Sequence, residues 1–216
     1  MISLEIISDP ICPWCYIGKA RLDRALEQRP NHPFQIQWRP FQLNPDMPRE
    51  GMDRREYLET KFGREGAIRT YAQIEEVARA SGLDIDFEKM KRTPNTLDAH
   101  RLIRWAWNEG CQTPLVSQLF RRFFREGQDI SDHEVLCDAA AAVGMDRDVT
   151  ARLLASDNDL DAVIAEDKGA REMGVSGVPM FLVGRKYALS GAQETELWLR
   201  ALDEITENLS ETADQT

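Results

Sequence analysis

The feature that most constrains this chain is Cys12-Pro13-Trp14-Cys15, placed between the apolar run Leu4-Glu5-Ile6-Ile7 and a stretch of helical character that begins at Tyr16. A strand that delivers a CxxC pair to a helix N-terminus is suited to redox chemistry. The first turn of a helix carries unpaired N–H groups and a partial positive charge, which favour a thiolate over a thiol. The spacing lets the second sulfur reach the first within one helical turn. Cys12, at the mouth of the helix, is the attacking sulfur, and Cys15, one turn in, is the resolving one. Pro13 suits the first helical turn because its missing N–H would have had no partner there. Trp14 offers an aromatic face beside the sulfur.

A second feature lies far downstream. Gly174-Val175-Ser176-Gly177-Val178-Pro179 leads into Met180-Phe181-Leu182-Val183, a Gly184-Arg185 turn and a second strand from Lys186 to Ser190. Taken alone, a proline at a strand start fits either an ordinary trans bond at a sheet edge or a cis bond.

Together these residues resemble the DsbA-like branch of the thioredoxin superfamily. The resemblance is nearer to its FrnE-type members, which are related to kappa-class glutathione transferases and 2-hydroxychromene-2-carboxylate isomerases. It is carried by Ser8 to Gly18, Arg39-Pro40-Phe41, Thr93 to Arg101, Gly177-Val178-Pro179 and Ser190 to Gln193. It implies an α/β, thioredoxin-like fold with an inserted all-helical domain. It also implies a cis Pro179 facing the CxxC, with Val178 and Pro179 positioning an incoming peptide or thiol and Pro13 and Trp14 lining the same groove. Asn95 and His100 fall in a segment that walls the groove and are candidate substrate contacts.

The implied activity is thiol–disulfide exchange, with protein or small-molecule thiols and disulfides as partners and no metal or organic cofactor; glutathione serves as redox partner. The alternatives are a glutathione-dependent isomerase or transferase and a redox-inactive binding module. Related isomerases and transferases typically carry serine at the position of Cys12 and a Ser-Asp pair after the hairpin. This chain has Cys12 and Ala192-Gln193, which weakens that alternative.

Length and charge bound the rest. The chain has 216 residues, enough for one sizeable core or two packed lobes. Its formal net charge of -10 argues against a nucleic-acid groove or an anionic membrane surface. No apolar run approaches a membrane span, and no secretory leader pattern opens the sequence, so a cytoplasmic setting is expected. There a CxxC is a catalytic or sensing pair rather than a permanent staple. Homodimerisation stays open.

Periodicity divides the chain into residues 1–48 (first half of the core), 49–171 (helical insertion), 172–209 (second half) and a polar tail, 210–216. Strands are expected over Ile2 to Ser8 and Phe34 to Phe41, with a helix from Tyr16 to Gln28 between them. Thr113-Pro114 reads as a cap and first turn, Ser131 with Glu134 and Ser190 with Gln193 as capping boxes, and Gly144 as a helix terminator. Trp38, Trp105 and Trp107 read as core or groove lining, and Arg121-Arg122 as a solvated helix edge. Cys111 and Cys137 lack CxxC or His partners and read as buried free thiols.

Overall fold

The computed structural model describes residues 1–214. Strand β1 (Ile2–Ser8) is followed by helix α1 (Pro13–Gln28) and β2 (Phe34–Pro40). A two-residue strand, β3 (Met52–Asp53), leads into α2 (Arg54–Ala80), kinked at Gly63, and pairs with β4 (Arg92–Thr93). Helices α3 (Leu97–Asn108), α4 (Gln112–Phe124), α5 (His133–Ala141), α6 (Arg147–Leu154) and α7 (Leu160–Glu172) follow in succession. The chain then returns to the sheet with β5 (Met180–Val183), β6 (Tyr187–Ser190) and α8 (Thr195–Asp214).

The main sheet has the order β2-β1-β5-β6. β1 and β2 are parallel from Ile2↔Phe34 to Ser8↔Pro40, as a strand–helix–strand crossover requires. β5 runs antiparallel to β1, pairing Ile7 with Met180, so the segment that precedes β5 arrives at the end of β1 where the CxxC begins. The β5–β6 turn places Gly184 and Arg185 both at positive φ (58° and 57°), the twist that tight hairpins favour.

Alternation along β1 sorts its side chains to two faces. Leu4 and Ile6 join Ile17, Leu22 and Ala25 of α1, Phe181 of β5, and Trp198 and Leu202 of α8 in the principal core. Ile7 belongs to a smaller cluster with Phe41, Ala170 and Val175. Ala170 lies on α7, so this helix covers the second face of the sheet, although the sequence division assigns it to the insertion.

The other inserted helices extend the principal core rather than forming a separate one. Leu102, Ala106, Leu119, Phe120, Phe123, Leu136 and Ala140 are continuous with the sheet's apolar face. Tyr16 stacks on both Phe120 and Phe124 of α4 with ring centroids 5.2 Å apart in each pair, and Trp38 meets Phe120 edge-on. The residue after Cys15 is thereby docked onto the lobe. Gln112 of α4 receives the Trp38 N–H at 2.8 Å and donates to the Trp38 carbonyl at 3.1 Å, completing the pairing of an edge strand.

The expected strands agree with the structure to within a residue, the last beginning at Tyr187 rather than Lys186. Helix α1 begins three residues earlier than expected, at Pro13. Three caps differ. The residue capping α4 is Cys111, while the Thr113 hydroxyl accepts from the Trp38 indole at 3.0 Å. Asp132, not Ser131, caps α5, because the Ser131 hydroxyl bonds Asp129. Gln193 returns its amide to the Ser190 carbonyl in a turn that ends before α8 starts. Gly144, at φ 90°, follows α5 as expected of a terminator. Helix α8 continues to Asp214 through most of the stretch read as a tail, and residues 215–216 lie outside the described residues.

Candidate active site

Cys12 caps α1 with extended backbone (φ -84°, ψ 116°), and Pro13 takes the first helical position. The Cys12 carbonyl accepts from the N–H groups of Cys15 and Tyr16, and its own N–H donates to the Asp9 carbonyl at 3.0 Å. This fixes the turn that joins strand to helix. Both sulfurs are sheltered, Cys12 at 3% exposure and Cys15 at 1%.

The Cys12 thiol points at the Val178 carbonyl, Sγ–O 3.6 Å, and the Val178–Pro179 peptide is cis. Pro13, Trp14 and Val178 are half-buried around this point and Pro179 is buried. Gly18 explains how close the two segments come. A Cβ there would lie 3.2 Å from the Pro179 ring and 3.3 Å from Phe181, so any larger residue would push α1 off the proline loop. The sequence carries Gly18 beside the CxxC, but its function depends on a loop that arrives 160 residues later.

Burial governs the chemistry of Cys15. Burial, and next the adjacent Cys12 thiol, push Cys15 well above the usual thiol range, while the nearby Ser8 hydroxyl and Asp9 backbone N–H act in the opposite direction. Cys15 is thus a protonated reserve behind Cys12. Behind Cys15 lies Asp9, fully buried, whose carboxyl oxygens accept from the Leu43 N–H at 2.7 Å and the Ile11 N–H at 3.3 Å. Burial raises its carboxyl to about 7 in spite of those bonds.

The two groove-wall candidates have other neighbours in the structure. Asn95 spends its side chain on the Met47 carbonyl (2.7 Å) and the Leu97 N–H (2.9 Å), tying the loop after β2 to the start of α3. His100 is 3% exposed, held near Asp9 on the first turn of α3. Burial lowers its imidazole to about 4. Trp38 and Trp105 are core side chains. Cys137 is buried as expected, but Cys111 is half-buried at the cap of α4; both are free thiols. Among the described residues no group of three or more His, Cys, Asp or Glu is placed to hold a metal ion, and no helix is long and apolar enough to cross a membrane. Ser8 and Asp9, both buried where β1 leads into the CxxC, have no assigned role in the sequence analysis; the signal there is a polar pair following Ile6-Ile7.

A dithiol at a helix mouth, facing a cis-proline loop from the far end of the chain, coincides with a match to the family described as the DSBA-like thioredoxin domain over residues 3–203. The chain belongs to that family. Among solved structures, this DSBA-like chain is similar to a probable DsbA oxidoreductase from Streptomyces coelicolor, with 31% identity and a TM-score of 0.83 over 94% of this chain and 89% of that one. It is 25% identical to the uncharacterised protein YwbO of Bacillus subtilis over 94% of this chain and 96% of the relative. The cytosolic disulfide reductase DsbM of Pseudomonas aeruginosa, solved with glutathione, shares the fold at a TM-score of 0.69 and 16% identity, covering 95% of this chain and 99% of DsbM.

Proposed function

We propose that this DSBA-like protein is a FrnE-type thiol–disulfide oxidoreductase. The observation that carries the reading is the placement of Cys12: its sulfur sits at the N-terminus of α1, 3.6 Å from the Val178 carbonyl, with the shielded Cys15 thiol one turn behind. The Cys12 thiolate attacks one sulfur of a substrate disulfide R–S–S–R′, forming a Cys12–S–S–R bond and releasing R′S⁻. Cys15 then loses its proton and attacks the Cys12 sulfur, forming the Cys12–Cys15 disulfide and releasing RS⁻. The substrate is reduced by two electrons and the protein oxidised by two; every step is reversible.

An extended substrate pairs with the Val178 backbone as an added strand, and Pro13, Trp14 and Pro179 shape the opening. Glutathione, the molecule solved with DsbM, is the small thiol that returns the oxidised pair to the dithiol: two molecules attack in turn and leave as glutathione disulfide. The cytoplasm is the compartment that keeps such a reductant available.

In the test, Cys12→Ser abolishes the reduction of insulin disulfides, and Cys15→Ser accumulates mixed disulfides visible as mass adducts of the substrate thiol. Full activity in Cys12→Ser would sink the reading.

A further inference from the structure

Cys15 presents a problem that the dithiol alone does not solve. Its thiol is 1% exposed and must give up a proton at the moment it attacks. Asp9 is badly aimed to take that proton: it acts on the Cys15 thiol through its backbone N–H, while its carboxyl oxygens are occupied by Leu43 and Ile11. The hydroxyl nearby is that of Ser8, which closes β1 and lines a cavity together with His100.

Ser8 borders a small cavity of about 10 Å³, close to the space one water requires, bounded also by Pro10, Trp38, Ile103, Phe120 and His100. The Nε2 of His100 is buried without a hydrogen-bond partner, and it stands 3.9 Å from the Asp9 carboxyl, too far to bond it. A buried ring nitrogen left unpaired is costly unless a water or a proton carrier meets it. His100, Trp38, Arg39 and Ile103 also border a second cavity of about 110 Å³, whose mouth is formed by Arg104, Asn108 and Glu166. The two spaces therefore share His100, Trp38, Arg39 and Ile103 as walls, the Phe41 backbone also acts on the ring, and the second space reaches half-exposed charged groups.

We propose that Ser8, a water in the small cavity and His100 form the route by which the Cys15 proton leaves when that thiol attacks the mixed disulfide. The inference rests on the thiol–disulfide reading above. The Cys15 S–H donates to the Ser8 oxygen, Ser8 donates to the water, and the water donates to His100 Nε2. The Cys15 sulfur bonds to the Cys12 sulfur, the Cys12–S–R bond breaks, and RS⁻ departs with the electron pair. His100 then yields the proton to the outer cavity and so to solvent, which protonates RS⁻. His100 acts through Ser8 and is a relay residue, not a group touching substrate.

The groups facing the ring fit a transient positive charge. Asp9 approaches from the β1–α1 connection and Asp167 acts from α7. Arg39 of β2 is neutralised by Glu5 and Glu166, and Arg104 of α3 by Asp159 and Glu166.

The test follows the two steps separately in the full chain, with Cys111→Ser and Cys137→Ala removing the other thiols. Dithiobis(nitrobenzoate) releases one coloured thiolate when Cys12 attacks and a second when Cys15 resolves the adduct, so rapid mixing reads both. His100→Ala and Ser8→Ala are each expected to slow the second release by roughly tenfold or more while the first keeps its rate, and added imidazole restores the second release in His100→Ala but not in Ser8→Ala. An unchanged second release, equal slowing of both releases, or slowing in His100→Ala without recovery by imidazole overturns the route. Ser8→Ala removes a single oxygen, so it carries the test through the two-step comparison should His100→Ala fail to fold. Failure of the underlying reading looks different: the unsubstituted dithiol would then give no second release, whatever stands at positions 8 and 100.

Discussion

Asp9 and His100 lie 3.9 Å apart behind the dithiol, and burial pushes their proton affinities in opposite directions, Asp9 up to about 7 and His100 down to about 4. Their effects on stability oppose each other. From pH 4 to 7 an unfolded Asp9 is ionised while the folded one keeps its proton, so its contribution, full at low pH, is lost as pH rises through 7, about 4 kcal/mol in all. From pH 4 to 6.5 an unfolded His100 takes a proton that the folded ring refuses, so its contribution grows as pH rises, by about 3 kcal/mol. The two nearly cancel in the native chain. Urea midpoints measured across this range are expected to fall with rising pH in His100→Gln and to rise in Asp9→Asn; profiles parallel to that of the native protein would refute the pairing. That Cys12 and Cys15 would lie beside the Val178–Pro179 segment was legible in the sequence because short patterns carry it. Asp9, Ser8 and Gly18 were not, because each acquires its role from a segment that packs on it from elsewhere in the chain.

Arg101 shows how the inserted helices are locked together. It is fully buried on α3, and its guanidinium donates to the carbonyls of Leu153, Ser156 and Asn158 at 2.6–2.8 Å and to Asp98 at 2.7 Å. It thus caps the C-terminal end of α6 and fixes the turn into α7. Arg101→Leu removes the cation that joins those carbonyls to Asp98 and is expected to cost about 3–5 kcal/mol, read from denaturant midpoints, with Arg101→Lys recovering only part because it lacks the planar fork. A loss below about 1 kcal/mol would contradict this role. The same tertiary competition accounts for the caps that sequence patterns misplace. Thr113 and Ser131 have the chemistry of caps, but the Trp38 indole and Asp129 claim their hydroxyls first. Hydrophobic periodicity located the helices because apolar spacing is a property of the element itself. It did not reveal that α7 belongs on the sheet, since an apolar stripe does not state what it will cover.

The lobe and the sheet share one apolar core, in which Cys15, Tyr16, Trp38 and Phe120 are neighbours. Unfolding is therefore expected as one transition. Phe120→Ala, at the junction, should cost about 3–5 kcal/mol and move the midpoints of far-UV and tryptophan signals together, whereas two separated calorimetric peaks would show independent lobes. The contact between Cys12 and Val178 also joins positions 166 residues apart. On a ribosome adding ~5–20 residues per second, the dithiol emerges roughly ten to thirty seconds before the loop that will face it is made. During that interval the nascent chain carries two cysteines without the shelter of the finished groove, so each newly made molecule is open to thiol exchange with its surroundings before its own fold encloses the pair.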